Sequence, residues 1–462
     1  MYQLFYQPES VWVGDIMPYA QDGVFYIYHQ RDTRNPEPFG EPFGWSLAVT
    51  EDFVHYEDFG ESLTRGTDEE ADQFVYAGSI FRAGEEYQAF YTGFNREYLK
   101  EGKTSQMLLH ASSRDRIHWK KSRTALQLMP EDGYDKRNWR DPYVVWDAER
   151  EEYLLILGAR KGEDKSMQTG RLVWFTSKDL KNWVFQGDFW SPGLYTMFEM
   201  PELMQMGEWW YLIYSEYSDC NRVHYRMSKN LHGPWHAPKD DGFDGRAYYA
   251  ARTACDGRRR VLFGWVPTRI QDDDRNAYLW GGTFVPHEIV QNKDGTLSVK
   301  PPDSLWRAFQ CWNHFFCLNM KTIDTKEETV IPACMGEVTG FEATCSFAEG
   351  TRAFSLKFYE NTQKGTAYEY EFRIGENRIV FQKIPNYPWY QCFNLGLERP
   401  IELNPKEQYQ IRFIVDHDIA VLYVNGIALS SRICSRPGNF ISFTVTDGEL
   451  KAEHIRMSTK VQ

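Results

Sequence analysis

Three carboxylates stand where a solvated surface charge would be out of place. Asp15 lies in Val11-Trp12-Val13-Gly14-Asp15-Ile16-Met17-Pro18, Asp141 in Asn138-Trp139-Arg140-Asp141-Pro142-Tyr143, and Glu199 in Met197-Phe198-Glu199-Met200-Pro201-Glu202-Leu203. An ionised carboxylate beside Trp, Phe or Met needs a compensating partner or a raised pKa, and such groups concentrate where chemistry is done. Glycoside hydrolysis calls for two of them flanking the scissile bond, one as proton donor and the other as nucleophile or base. Asp15 and Glu199 fit that requirement, and Arg140 is placed to keep Asp141 ionised and oriented. Phe198 and Met200 are expected to desolvate Glu199. Metal chemistry has less to stand on. Among the histidines only His232 and His236 are four apart, and Gly233-Pro234 between them argues against a helix that would put both on one face. No metal and no cofactor are expected.

Each of the three carboxylates directly precedes a predicted hairpin. Turn residues open short aromatic and β-branched runs at Val24–Tyr28, Tyr87–Tyr91, Tyr153–Leu157, Trp209–Tyr214 and Val261–Trp265. A second pattern runs between them: Thr50-Glu51-Asp52-Phe53-Val54-His55-Tyr56, Ser113-Arg114-Asp115-Arg116-Ile117-His118-Trp119, Ser177-Lys178-Asp179-Leu180-Lys181-Asn182-Trp183, and Ser228-Lys229-Asn230-Leu231 leading to Trp235. Four copies spaced by 63, 64 and 51 residues signal a repeat. In each the Asp or Asn is expected to cap a turn and the aromatic to pack between neighbouring sheets.

Five such units imply an all-β chain, with a five-bladed β-propeller over residues 1–305. Inner strands of different blades then converge on one axis, where the three acids meet. After a linker over 306–325, alternating strands without the repeat predict a β-sandwich over 326–462, including an Asn425-Gly426 hairpin turn.

Composition narrows the partners. Sixty-five acidic against fifty-two basic side chains in 462 residues leave a net charge of −13. That charge opposes phosphate backbones and anionic lipid, so neither nucleic acid nor membrane is an expected partner. Aromatics reach 16%, with 16 Trp and 28 Tyr, and flat faces of that kind suit sugar rings. The eight cysteines show no Cys-x-x-Cys pair and read as reduced, mostly buried thiols. The N-terminus lacks a basic region followed by an apolar run, which predicts a cytoplasmic protein.

The set of motifs resembles glycoside hydrolase family 32, the invertase, levanase and inulinase family. Its opening W-M-N-D-P-N-G motif is matched in part by Trp12-Val13-Gly14-Asp15, its R-D-P by Arg140-Asp141-Pro142, and its E-C by Glu199-Met200. Tyr28-His29-Gln30, Gly44-Trp45, Tyr76-Ala77-Gly78-Ser79, Pro286-His287-Glu288 and Val424-Asn425-Gly426 extend the resemblance along the whole chain. It implies a five-bladed propeller with a C-terminal sandwich and retaining cleavage of β-fructofuranosyl bonds, for which the carboxyls stand about 5 to 5.5 Å apart. Asp15 would be the nucleophile, Glu199 the acid/base and Asp141 a transition-state carboxylate. Gln30, Trp45, Ser79, Arg140 and Trp280 are candidate sugar contacts, and Glu202 a supporting hydrogen-bond partner.

The departures bear on substrate identity. Gly14 stands where the family has Asn and Ile16-Met17-Pro18 replaces P-N-G, so an amide that would contact the fructosyl ring is absent; Ala77 replaces a serine near the same pocket, and Met200 replaces the cysteine after the acid/base. Sucrose-like or short fructo-oligosaccharides are the expected substrates. Fructosyl transfer, an inverting pentosidase and a decayed carbohydrate-binding protein are the alternative readings.

Overall fold

A computed structural model describes residues 2–35, 40–122, 128–162, 167–385 and 396–462. It is nearly all strand. The first part of the chain forms consecutive antiparallel meanders. The first holds β1 (Trp12–Gln21), β2 (Val24–Asp32), β3 (Trp45–Thr50) and β4 (Glu57–Leu63); the second β5 (Phe74–Ala83), β6 (Glu86–Phe94), β7 (Gln106–Ser113) and β8 (Lys120–Lys121). The third holds β9 (Tyr134–Asp147), β10 (Glu152–Lys161), β11 (Gly170–Ser177) and β12 (Val184–Trp190), and the fourth β13 (Phe198–Met206), β14 (Trp209–Glu216) and β15 (Val223–Ser228). The last holds β16 (Tyr249–Cys255), β17 (Arg260–Arg269), β18 (Tyr278–Gln291) and β19 (Leu297–Lys300). The hairpins expected from the apolar runs form as β1–β2, β5–β6, β9–β10, β13–β14 and β16–β17.

Burial grades outward along each meander. Second strands such as β6 and β10 are buried on both faces, as their unbroken apolar runs require. The outer strand β4 is exposed along most of its length and carries Glu57, Asp58 and Glu61, charges that discourage pairing with another chain. The first strands pack on one another in a closed order, β1 on β5, β5 on β9, β9 on β13, β13 on β16, and β16 on β1. Strand β18 also pairs with β1, Gly282 opposite Val13.

Every first strand carries the same irregularity: two residues oppose one on the neighbouring strand. Gly14-Asp15 face Gln30, Tyr76-Ala77 face Thr92, Asp141-Pro142 face Leu157, Met200-Pro201 face Tyr214, and Ala250-Ala251 face Gly264. These are β-bulges, which bend a strand and re-aim its side chains. Asp141, Met200 and Ala250 take positive φ angles of 65°, 51° and 52° there, an arrangement that costs a non-glycine residue free energy and persists only where surrounding structure enforces it.

The four-copy motif is a turn. The Thr50, Ser113 and Ser177 hydroxyls each accept two backbone N–H groups, and the following aspartate accepts two more, for Asp52 from Val54 at 2.9 Å and His55 at 2.8 Å. These bonds hold Phe53, Arg116 and Leu180 at φ of 61°, 71° and 62°. The fourth copy uses Asn230, which accepts the His232 N–H. Tyr56, Trp119, Trp183 and Trp235 then pack into four different apolar clusters.

The C-terminal strands form a sheet bent around its own core by two long members, Leu318–Cys334 and Phe440–Ser458. Phe358 from one limb meets Phe413 from the other at 4.8 Å. The expected Asn425-Gly426 turn joins Ile419–Val424 to Ile427–Arg432. Residues 306–325 hold the end of a short helix (Asp303–Arg307), the strands Phe309–Gln310 and Asn313–His314, and the start of Leu318–Cys334.

One sequence reading needs correction. Of the seven described cysteines five are exposed, not buried, because they sit in connections or at strand ends; Cys392 lies outside the described residues. Pro286-His287-Glu288 lies against the C-terminal sheet: His287 contacts Asp244 and the Tyr423 hydroxyl, both buried. Among the described residues no helix is long and apolar enough to cross a membrane.

Asp52→Ala removes the side-chain acceptor of two backbone N–H groups and should cost about 1 kcal/mol, as a lost cap does, lowering Tm by about 1–2 °C in calorimetry. The Asp52 carboxyl is held below its ordinary value of 3.8 by His55 and Val54, against the opposing effect of burial. Its contribution is therefore present above that value and fades as pH falls, so the difference between variant and parent should close in acid.

Candidate active site

The bulges of the first strands open onto one cavity of about 540 Å³. Asp15, Asp141 and Glu199 all line it, as do Gln30, Arg140 and Trp280. The local reason is common to the three acids. In β1 the bulge turns Asp15 out of the ladder; in β9 and β13 it does the same around Asp141 and just after Glu199.

Each carboxylate is held differently. Asp15 Oδ1 accepts the Trp265 indole N–H at 3.3 Å. Asp141 Oδ2 accepts the Met200 backbone N–H at 3.0 Å, while its own N–H donates to Thr92 Oγ1 at 2.9 Å. Glu199 Oε1 accepts both Nε and Nη2 of Arg140 at 3.1 and 2.7 Å, and Oε2 accepts the Tyr249 hydroxyl at 2.5 Å. Tyr249 and Trp265 meet edge to face at 5.8 Å, so the partners of Glu199 and Asp15 brace each other.

Arg140 therefore grips Glu199 by hydrogen bonds, where the sequence suggested a partner for Asp141. Phe198 and Met200 do not shield Glu199 either. Phe198 packs with Trp190 and Tyr214, and Met200 belongs to the cluster around Trp45 and Tyr91.

Electrostatics follow from crowding. Burial pushes the Asp15 carboxyl well above its ordinary value, and the charges of Asp141 and Glu199 push it further, against the Trp265 hydrogen bond and Arg140. Asp141 is also raised, chiefly by burial, with Arg140 opposing and Glu199 adding. Burial raises the Tyr249 hydroxyl and Glu199 adds to it, so it stays a donor. Asp15 and Asp141, buried and crowded, therefore hold their protons more tightly than free carboxyls do.

Trp45 and Ser79 are not part of the cavity wall. Trp45 is fully buried and donates its indole N–H to the Tyr76 carbonyl, while Ser79 accepts the Val144 N–H and ties β5 to β9. Glu202 is buried away from the cavity, accepting the backbone N–H and the hydroxyl of Thr253, both at 2.6 Å. Sequence reading passed over Tyr249, Trp265 and Arg252. Arg252 in β16 is 1% exposed and donates to the Gly78, Asp141 and Pro142 carbonyls, tying the bulges of β5 and β9 to its own strand.

Two carboxyls that face a sugar-sized hollow, with a third to hold hydroxyls, define the site of a glycoside hydrolase. A family model for the glycosyl hydrolases family 32 N-terminal domain matches residues 5–301, and the chain belongs to glycoside hydrolase family 32. It is 22% identical over 468 residues to the sucrose-6-phosphate hydrolase of Escherichia coli, covering 93% of this chain and 88% of that protein. It is also 22% identical to the levanase of Bacillus subtilis, covering 92% of this chain and 64% of that one. Fructan 1-exohydrolase IIa from Cichorium intybus shares the fold, with a TM-score of 0.79 at 16% identity over 100% of this chain and 97% of that one.

Because its folded-state pKa is raised, Asp15 destabilises the native state only where it ionises, above its ordinary value of 3.8. Asp15→Asn should therefore melt a few degrees above the parent at pH 7 and level with it near pH 3. A thermal scan at the two pH values checks both halves; an equal or lower Tm at pH 7 contradicts the crowding.

Proposed function

We propose that the protein is a retaining β-fructofuranosidase acting on terminal fructosyl units of sucrose-like or short fructo-oligosaccharide substrates. The observation that carries this reading is the convergence of Asp15, Asp141 and Glu199 from three first strands on one cavity. The closed order of first strands, β1 to β16 and back, supports a five-bladed β-propeller, and the bent C-terminal sheet supports a β-sandwich, with domains at 1–305 and 326–462. The relatives named for sucrose 6-phosphate and levan support a fructosyl substrate.

In the first step an Asp15 carboxylate oxygen bonds to the anomeric carbon as the bond to the leaving oxygen breaks, and Glu199 gives its proton to that oxygen. In the second, Glu199 takes a proton from water, the water oxygen bonds to the anomeric carbon, and the Asp15 ester breaks. Arg140 and Tyr249 fix the Glu199 carboxyl on the leaving-group side. Asp141, anchored by the Met200 N–H, accepts hydrogen bonds from ring hydroxyls. Transfer to an acceptor sugar would replace water in the second step. The described cysteines, all unpaired, suit a reducing cytoplasmic setting.

Release of fructose from sucrose, sucrose 6-phosphate, 1-kestose, inulobiose and levanbiose tests the reading. Asp15→Asn and Glu199→Gln should each lower kcat by about 10³-fold or more, since each removes a covalent or proton-transfer role. Proton NMR of the first-formed sugar should show retention, and net inversion would remove Asp15 as nucleophile.

In the same assays the acid limb of kcat/KM should lie above the ordinary carboxylate range, because Asp15 must ionise while buried and against the charges of Asp141 and Glu199. Residual activity of Asp141→Asn should show that limb displaced to lower pH. A limb unmoved by the substitution would assign it to another group.

A further inference from the structure

Gly14 is one of the residues by which the opening motif departs from the family pattern, and the structure shows what lies against it. A Cβ built on Gly14 would lie 2.2 and 2.3 Å from Trp280 Cη2 and Cζ2. No side chain fits there while the indole stays. The indole cannot easily give way. Phe43 stacks on it at 6.3 Å with the rings 10° apart, and Trp265, which holds Asp15, meets it edge-on at 6.0 Å.

The backbone makes the approach possible. Val13 pairs with Gly282, so Trp280 follows β18 to the bulge that turns Gly14-Asp15 out of the ladder. Gly281 beside it takes a φ of 82°, a conformation that glycine adopts without cost.

Trp280 is also the first ring of a wall. Phe43 is 22° from Tyr76, and Tyr76 stacks on Phe94 at 4.7 Å and 19°. All four rings line the cavity that holds the three acids. A hydrogen-bonding amide has thus been exchanged for an aromatic face beside the nucleophile.

We propose that Gly14 and Trp280 form one specificity-determining pair, in which the indole takes the volume of the family's asparagine side chain and recognises the sugar by its C–H face instead of by a hydroxyl. The inference rests on the β-fructofuranosidase reading and adds to it how the bound ring is selected. Aromatic faces gain from contact area and need no aligned donor. Substrates that keep the ring face should therefore bind well, whereas loss of the indole should weaken binding more than it slows the chemical steps.

The test is a set of variants assayed for KM and kcat on sucrose and 1-kestose, with Tm as a folding control. Trp280→Ala should raise KM at least 10-fold with kcat within 3-fold, and Trp280→Phe should stay within 3-fold of the parent KM. Gly14→Asn alone should lose at least 100-fold in kcat/KM through overlap with the indole, and Gly14→Asn combined with Trp280→Ala should recover at least 10-fold over Gly14→Asn. A KM within 2-fold for Trp280→Ala, or a folded double variant no better than Gly14→Asn, overturns the pair.

If the parent releases no fructose from either sugar, it is the hydrolase reading that fails. Calorimetric titration with D-fructose then judges the pair by itself: binding weakened at least 10-fold in Trp280→Ala upholds it, and unchanged binding ends it.

Discussion

A guanidinium buried where strands converge sets the terms for the rest of the molecule. Arg252 reaches the Gly78, Asp141 and Pro142 carbonyls from β16, and burial pulls it below the ordinary arginine value. A buried charge of this kind is tolerated only with good hydrogen-bond partners. Regular strands would spend those carbonyls on their ladders. The bulges free them, which gives one physical reason for the irregularity in β5 and β9. The same distortion that supplies acceptors to Arg252 turns Asp15 and Asp141 out of register, so the scaffold and the site share one device.

That sharing has an electrostatic consequence. Asp15, Asp141 and Glu199 repel one another in a place poor in water, and Arg140 answers only part of the repulsion. A stability-optimised core would not gather them. Positive φ angles at Asp141, Met200 and Ala250 add backbone strain at the same level of the fold. Unfavourable charge is what sets this part of the chain apart: the outer turns at Asp52, Asp115 and Asp179 also hold residues at positive φ, but their carboxylates satisfy local backbone N–H groups.

What the sequence disclosed divides along the same line. Asp15, Asp141 and Glu199 were legible because a carboxylate amid Trp, Phe and Met is a local anomaly, and the turns were legible because Ser-x-Asp writes its own hydrogen bonds. The partners of the acids were not. Tyr249 and Trp265 differ in no local way from other buried aromatics, and Ala250-Ala251 gives no hint of the bulge beside which Tyr249 meets Glu199. Arg140 was seen but matched to its sequence neighbour Asp141; its hydrogen bonds go to Glu199 on another strand, while only its charge acts on Asp141. Trp45 was misjudged because an indole in a strand looks the same whether it faces a cavity or the interior, and only the register decides.

The C-terminal sheet also reaches Asp15, through the chain's first residues. Asp416, at the end of a C-terminal strand, accepts the backbone N–H groups of Gln3, Leu4 and Phe5, with Leu4 at 2.7 Å. Tyr6 then bridges to Phe284 of β18 in both directions, and β1 begins at Trp12. Arg432 from the same sheet donates to the Val266 and Pro267 carbonyls, fixing β17 just beyond Trp265, whose indole holds Asp15. Asp15 thus sits between two segments that are each tied to the C-terminal half. A sheet that only covered apolar surface would need neither a carboxylate clamped on three amides nor a guanidinium on two carbonyls. These contacts give the second half of the chain a part in setting where β1 enters and how firmly Asp15 is held.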